Sequence, residues 1–312
     1  METRGKITRR KFLESTFIGT AGTAVLPQLL TAKDVTKITK RTATDLVALG
    51  RSKVKLCRLG MGTGTRGGKI QRELGREKFI KLIRYGIERG VTYIDTADNY
   101  RGMHEMIKPA IKGIDREKIQ ILCKIWLGRY QDPLKEIDRF RSEVGTDYFD
   151  VMLMHCARTP DWVEQNKRLR DLLDTAREKK IIRATGVSMH GLLPLRAAAD
   201  TGWGDVRLVR VNHNGRHMDN LKNKWKEPGD VSEVVKHIKK MHAAGKGIIG
   251  MKLIGEGDFK NPELRRKSID FVIGLGCVNA VTIGFKSPAE IDEAITNINN
   301  ALAKHPPKPA ST

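Results

Sequence analysis

From Leu56 onward the chain repeats one unit eight times: a short run of aliphatic and β-branched residues, then a longer stretch with helical spacing. Runs at 57–60, 92–95, 120–124, 151–155, 184–188, 208–212, 247–252 and 278–283 predict strands. Stretches at 76–89, 104–112, 133–144, 162–179, 193–199, 231–244, 262–273 and 288–299 predict helices. This alternation is the signature of parallel βαβ units. Eight such units close a ring, so the expectation is an α/β chain folded as a (β/α)8 TIM barrel, with its chemistry at the C-terminal ends of the strands. Gly90, Gly113, Gly145 and Gly245 fall where helices should stop, and Pro133, Pro262 and Pro288 where helices should begin.

A doubly wound open sheet is the competing fold, and it needs a phosphate-binding glycine loop early in the chain. Gly60-Met-Gly-Thr-Gly64 lacks the G-x-G-x-x-G spacing and runs on into Arg66-Gly-Gly instead of a helix. It reads as a tight turn leaving the first barrel strand, where backbone passes close to a ligand.

The barrel does not account for the start of the chain. Thr8-Arg9-Arg10-Lys11-Phe12-Leu13 is followed by an uncharged stretch from Ser15 to Ala32 with small residues at Gly19, Ala21, Gly22 and Ala24. A basic segment before a short apolar one is signal-peptide architecture. The arginine pair with Phe-Leu resembles the twin-arginine export signal, which implies the twin-arginine export machinery as a partner and a periplasmic destination. The division is therefore 1–32 as signal and 33–312 as barrel. Cleavage after Ala24, cleavage near Ala32 and retention as an anchor all stay open. No apolar run reaches the roughly 18 residues of a membrane-spanning helix.

A formal net charge of +22 raises the question of nucleic acid. Only five of the basic side chains lie within 1–32, so the excess belongs to the barrel. The cations there are spread over many helices among acidic neighbours, as in Asp171 to Lys180, without an aromatic stacking platform. They read as solvated helix faces and not as a nucleic-acid surface. Cys57, Cys123, Cys156 and Cys277 are isolated from one another, which argues against a metal-binding pair or a disulfide framework.

Three successive strands end in polar residues: Asp95 on the second, Lys124 on the third and His155 on the fourth, with Tyr100 in the loop after Asp95. A polar group at the end of an apolar strand costs roughly 2 kcal/mol or more if buried alone, so these are expected to meet. Their chemistry is complementary. A tyrosine near pKa 10 becomes a usable proton donor or acceptor when a cation stabilises its phenolate. Lys124 can supply that cation, Asp95 can hold Lys124 charged, and a neutral His155 can orient a carbonyl oxygen.

With these residues in place, the chain from about Asp45 to Asn299 is similar to the aldo-keto reductase family. The family's Asp-Thr-Ala, two residues, Tyr signature stands at Asp95 to Tyr100, its lysine matches Lys124 and its histidine matches His155. The resemblance implies reduction of an aldehyde or ketone by NADPH, with NADH the lesser candidate, Tyr100 as proton donor, and no metal. It implies coenzyme contacts at Gly62, Thr63, Ser188, Arg210 and His213, at Lys252, Leu253, Gly255 and Gly257 after strand seven, and at Lys286, Ser287 and Glu293 around strand eight. Met189 and Ala294 stand where relatives commonly carry Asn, and Arg210 and His213 stand where they carry Gln and a stacking Tyr. Trp126, Trp162 and Trp225 are the expected substrate walls. The alternative within the same fold is a coenzyme-binding sensor with little or no turnover.

Overall fold

The computed structural model describes residues 40–307; the expected signal at 1–32 and its boundary with the barrel lie outside the described residues. A hairpin comes first, β1 (Leu46–Ala48) pairing antiparallel with β2 (Lys55–Cys57). The barrel strands are β3 (Leu59–Gly62), β4 (Tyr93–Asp95), β5 (Gln120–Trp126), β6 (Phe149–Ala157), β7 (Ile182–Met189), β8 (Val206–Arg210), β9 (Gly247–Met251) and β10 (Ala280–Ile283). All eight pair in parallel, and β10 closes on β3. Around them lie α1 (Lys69–Arg72), α2 (Arg76–Glu88), α3 (Met103–Ile111), α4 (Pro133–Val144), α5 (Trp162–Gln165), α6 (Lys167–Glu178), α7 (Leu192–Asp200), α8 (Val231–Ala243), α9 (Pro262–Gly274) and α10 (Pro288–Lys304). The TIM barrel expected from the repeats is the fold of the described residues.

Side chains alternate across each strand, so every strand gives one set to the lumen and the other to the helices. The lumen is filled by Tyr93, Leu122, Val151, Leu153, Ala184, Val206, Leu208, Ile249 and Ala280, and the hairpin's Leu56, with Leu49, joins the same cluster and closes its lower end. Gly60 is required here: a Cβ on it would sit 2.1 Å from the Tyr93 ring. The same alternation puts Gly62, Asp95, Lys124, His155, Ser188, Arg210, Met251 and Thr282 on the lumen face towards the upper rim.

Helix ends follow local chemistry. Pro133, Pro262 and Pro288 occupy first turns behind the caps Asp132, Asn261 and Ser287, and Gly145 ends α4 at φ 75. Several boundaries differ from expectation, among them the following. The run at 57–60 divides between β2 and β3, the stretch 162–179 breaks at Asn166 into α5 and α6, and β8 starts two residues earlier than expected, at Val206.

Candidate active site

Lys124 is 1% exposed at the rim of β5. Its ammonium donates to Asp95 Oδ1 at 2.7 Å and to the Thr96 carbonyl at 2.7 Å. Asp95 is held from two further sides: the Tyr93 hydroxyl donates to its Oδ2 at 3.2 Å, and Thr63 Oγ1 donates to its backbone carbonyl at 2.9 Å. Tyr100 lies over this pair, its ring centroid 5.1 Å from Lys124 Nζ. Gly64 makes the room, because a Cβ there would stand 2.2 Å from the tyrosine ring. His155 meets Tyr100 edge to face at 5.7 Å and Trp126 at 5.1 Å. The three strand-end residues and the loop's Tyr100 therefore share one rim.

Burial and neighbouring charge together set the protonation states. Burial pulls Lys124 down, but Asp95 and Tyr100 outweigh it and the ammonium is held above its ordinary value. Tyr100 goes the other way from the sequence expectation: burial raises it to about 12 even with Lys124 lowering it, so the phenol keeps its proton. Burial likewise lowers His155, leaving a neutral imidazole.

A cleft opens from this cluster between the ends of β3, β9 and β10, lined by Gly62, Gly64, Tyr100, Leu253, Gly257 and Thr282 among others. Arg66, Lys252, Lys260 and Lys286 line it against the carboxylates of Asp95 and Glu256. Glu256 links two loops, accepting the Arg66 N–H at 3.1 Å and pairing with Lys252 at 3.0 Å. Thr282 Oγ1 is buried without a hydrogen-bond partner beside Gly62, where a Cβ would come within 3.0 Å of it.

Of the coenzyme positions expected from the sequence, Gly62, Lys252, Leu253, Gly257 and Lys286 line this cleft. The others do not, each for a visible reason. Thr63 turns in to Asp95, and Ser188 Oγ accepts the Cys156 N–H at 2.9 Å. Arg210 is paired with Asp219 at 2.9 Å, and His213 packs edgewise on Phe259 at 5.4 Å. Gly255 lies against the same Phe259 ring, Ser287 caps α10, and Glu293 accepts from Arg265 Nε and Nη2 at 2.7 and 2.8 Å. Among the tryptophans, Trp126 stands beside His155 and Trp225 is 43% exposed, stacked on His217 at 4.2 Å. Trp162 is not a pocket wall: it is 1% exposed, donates to the Pro194 carbonyl at 3.3 Å and packs on Trp203.

Two features escaped the sequence reading. The Asp98 side chain is buried, accepts the Trp126 N–H at 2.9 Å and places Oδ1 3.7 Å from His155 Nδ1; it stood in view three residues after Asp95. The second is a register shift in β6 between Met154 and Ala157 that leaves Cys156 at φ 66. A bulge at a barrel rim re-aims neighbouring side chains. Here it sets Cys156 Sγ 3.0 Å from His190 Nδ1 and 3.3 Å from Arg158 Nε, and no periodicity in the sequence signals it.

A closed parallel barrel whose rim joins a buried ammonium, a carboxylate, a phenol and an imidazole beside a glycine-lined basic cleft defines a class of barrel proteins with acid–base chemistry at the strand ends. The family model described as the aldo/keto reductase family matches residues 58–271, and the chain belongs to that family. It is 30% identical over 140 residues to the 9,11-endoperoxide prostaglandin H2 reductase of Trypanosoma cruzi (strain CL Brener), covering 43% of this chain and 45% of that protein. The chain spans about half the length of the curated relatives it matches. Two solved structures share the fold. An aldo-keto reductase from Bacillus halodurans in its holo form superposes with a TM-score of 0.64 at 15% identity, over 86% of this chain and 98% of that one. One from Klebsiella pneumoniae in complex with NADPH gives 0.59 at 17%, over 86% and 97%.

Proposed function

We propose that the chain reduces an aldehyde or ketone to an alcohol with NADPH, and that Tyr100 donates the proton. The observation that carries this reading is Tyr100, still protonated, set against the Lys124–Asp95 pair at the mouth of the basic cleft. The cleft suits a nicotinamide dinucleotide phosphate on its own chemistry. Gly62, Gly64 and Gly257 present backbone without side chains, Arg66, Lys260 and Lys286 offer cations to phosphates, and the orphaned Thr282 hydroxyl waits for a polar partner. Family membership and the NADPH found in the Klebsiella relative support that choice.

Bound there, NADPH would supply the hydride, so that carbonyl, NADPH and one proton balance against alcohol and NADP⁺. The chain's own residues do the rest. Neutral His155 donates a hydrogen bond that fixes the carbonyl oxygen. Tyr100 gives its O–H proton to that oxygen as negative charge develops, and the ammonium of Lys124 stabilises the phenolate left behind. Asp95 holds the ammonium in place, and solvent returns the proton to Tyr100.

Replacing Tyr100 with Phe keeps the ring and removes the proton. Carbonyl reduction is expected to fall by roughly 10²–10⁴-fold, while NADPH binding, read by fluorescence titration, persists. Unchanged reduction overturns the role of Tyr100. Coenzyme binding by a wild-type chain that reduces no carbonyl points to the sensor.

For residues 1–32 we propose export of the folded chain, coenzyme already bound, through the twin-arginine route. Cell fractionation should place it in the periplasm with stoichiometric NADP or NADPH, and changing Arg9 and Arg10 to Lys should leave it in the cytoplasm.

A further inference from the structure

We propose that the rim carries a second, carboxylate-binding subsite beside His155, so that the carbonyl substrate of this chain is a monoanionic oxo acid. The proposal rests on the reductase reading for the carbonyl and on different residues for the acid. A small cavity at the ends of β6, β7 and β8 is lined by Arg158, His190, Arg210, Asn223, Lys224 and Trp225 among others, and among the described residues none that lines it is acidic. It adjoins the reacting centre, since the His190 ring lies 6.4 Å from that of His155.

The cations in this cavity are built in. Arg210 is 3% exposed and belongs to the lumen set of β8. One of its terminal nitrogens pairs with Asp219 at 2.9 Å, Asp219 also accepts the Gly191 N–H at 2.7 Å, and Arg210 Nε is buried with no hydrogen-bond partner. A buried guanidinium donor without an acceptor costs free energy, and because Arg210 lines the cavity an anion seated there gains the attraction of its charge. Arg158 stands on the other side. Its Nε donates to Cys156 Sγ, and its guanidinium lies 5.7 Å from the Trp126 ring centroid; sulfur and indole are both uncharged partners. The β6 bulge that sets Cys156 at φ 66 thus ties Arg158 and His190 to one sulfur, on the residue that follows His155.

The charge balance selects the ligand. Asp219 offsets Arg210, and Glu227 lies 3.4 Å from Lys224. Burial, with Arg210 beside it, holds His190 well below its ordinary value and therefore neutral. Arg158 remains as about one uncompensated positive charge, which matches a carboxylate better than a phosphate dianion. The planar fork of a guanidinium matches a carboxylate in shape as well.

The test compares 5-oxopentanoate with its methyl ester, which has the same carbonyl and lacks the charge. Wild-type kcat/KM with NADPH is expected to favour the acid by at least tenfold, and Arg158→Gln to bring the acid-to-ester ratio towards one. A wild-type ratio near one, or a ratio unmoved by both Arg158→Gln and Lys224→Gln, overturns the subsite. Binding of glutarate, followed by tryptophan fluorescence, stands apart from turnover. Loss of that binding in Arg158→Gln supports the subsite even if no carbonyl is reduced, in which case only the reductase reading fails. Absence of glutarate binding to the wild type overturns the subsite, and inorganic phosphate competing as well as acetate overturns the carboxylate assignment.

Discussion

Strand β8 carries two buried arginines three residues apart, and they face opposite ways. Arg207 points outward beneath α7, fully buried, and Arg210 points inward at the rim, 3% exposed. Among the described residues no carboxylate pairs with Arg207: its nitrogens donate to the carbonyls of Ala198, Thr201, Trp203, Gly204 and Val206 at 2.7–3.2 Å. All but that of Val206, which belongs to β8 itself, close α7 and the turn after it, where a helix leaves acceptors unpaired and its dipole favours a cation. Burial still lowers Arg207 to about 10, since carbonyls offset less of the desolvation than a counter-charge does. Arg210 meets a counter-charge in Asp219 and keeps an unmatched Nε. A buried cation whose donors are all used holds a fold together, whereas one with a donor left over beside a cavity is placed to bind.

The largest expected effects separate these two roles by rescue. Arg207→Met leaves several carbonyls without donors at once and should cost about 3–5 kcal/mol, lowering the melting temperature by roughly 10 °C. Activity per folded molecule should hold, and no single acidic-site change should restore stability. Arg210→Met strands the Asp219 carboxylate in the interior at a cost of about 3 kcal/mol. Adding Asp219→Asn should recover most of that, because burial already favours the neutral form of this carboxyl. Denaturant titration of the three variants checks both; recovery of Arg207→Met by Asp205→Asn, its nearest acidic neighbour in sequence, would break the distinction.

The same pair explains what could be read from the sequence. Eight aliphatic runs and their glycine and proline punctuation carried the barrel, because both periods are local. The strand-end residues Asp95, Lys124 and His155 were legible for the same reason, each being the polar residue at the end of an apolar run. Strand β8 was placed two residues late because Arg207 looks like a surface residue, and only tertiary carbonyls make it a buried one. The division of 57–60 between β2 and β3 was hidden by Gly60 and Gly62, whose bare backbone serves the Tyr93 ring and the cleft. Trp162, Ser188 and Glu293 show the converse. A residue type suited to a pocket was spent on packing, on a bulge and on an ion pair, and sequence spacing does not reveal the partner that takes it.

Acid should act on the rim and not on the Arg207 side. Burial first of all lowers His155 and His190 at the rim and His104 behind Lys124, the last although Glu143 pulls the other way. A histidine depressed in the folded state takes its proton only on unfolding once the pH drops below about 6.5, so stability falls with falling pH there, by up to about 1.4 kcal/mol per pH unit for each group. Arg207 stays charged in folded and unfolded chains throughout this window and contributes no slope. Melting temperature measured from pH 7 to pH 5 should therefore drop, and His190→Gln should flatten the curve while Arg207→Lys leaves its slope alone. A flat wild-type curve would remove the rim histidines from the account.

The smallest effect concerns Asp98, where two unpaired atoms face each other. Asp98 Oδ1 and His155 Nδ1 are both buried without hydrogen-bond partners, 3.7 Å apart. Burial pushes the Asp98 carboxyl up, but His155 and the Trp126 N–H outweigh it and hold the group ionised. A slight rotation of the imidazole brings Nδ1–H onto this carboxylate and leaves Nε2 for the substrate side, the arrangement in which a second group fixes a histidine's tautomer. Asp98 is thus a positioning residue, acting through His155. Asp98→Asn keeps the shape, removes the charge and lets the ring choose either tautomer, which should lower kcat about tenfold, at the low end of what a single acid–base contact supplies. The distinguishing readout is the acid limb of the pH–rate profile. Without the carboxylate, His155 protonates at still lower pH, so the limb should move down in the variant; a merely structural Asp98 would lower the yield of folded protein and leave the limb where it was.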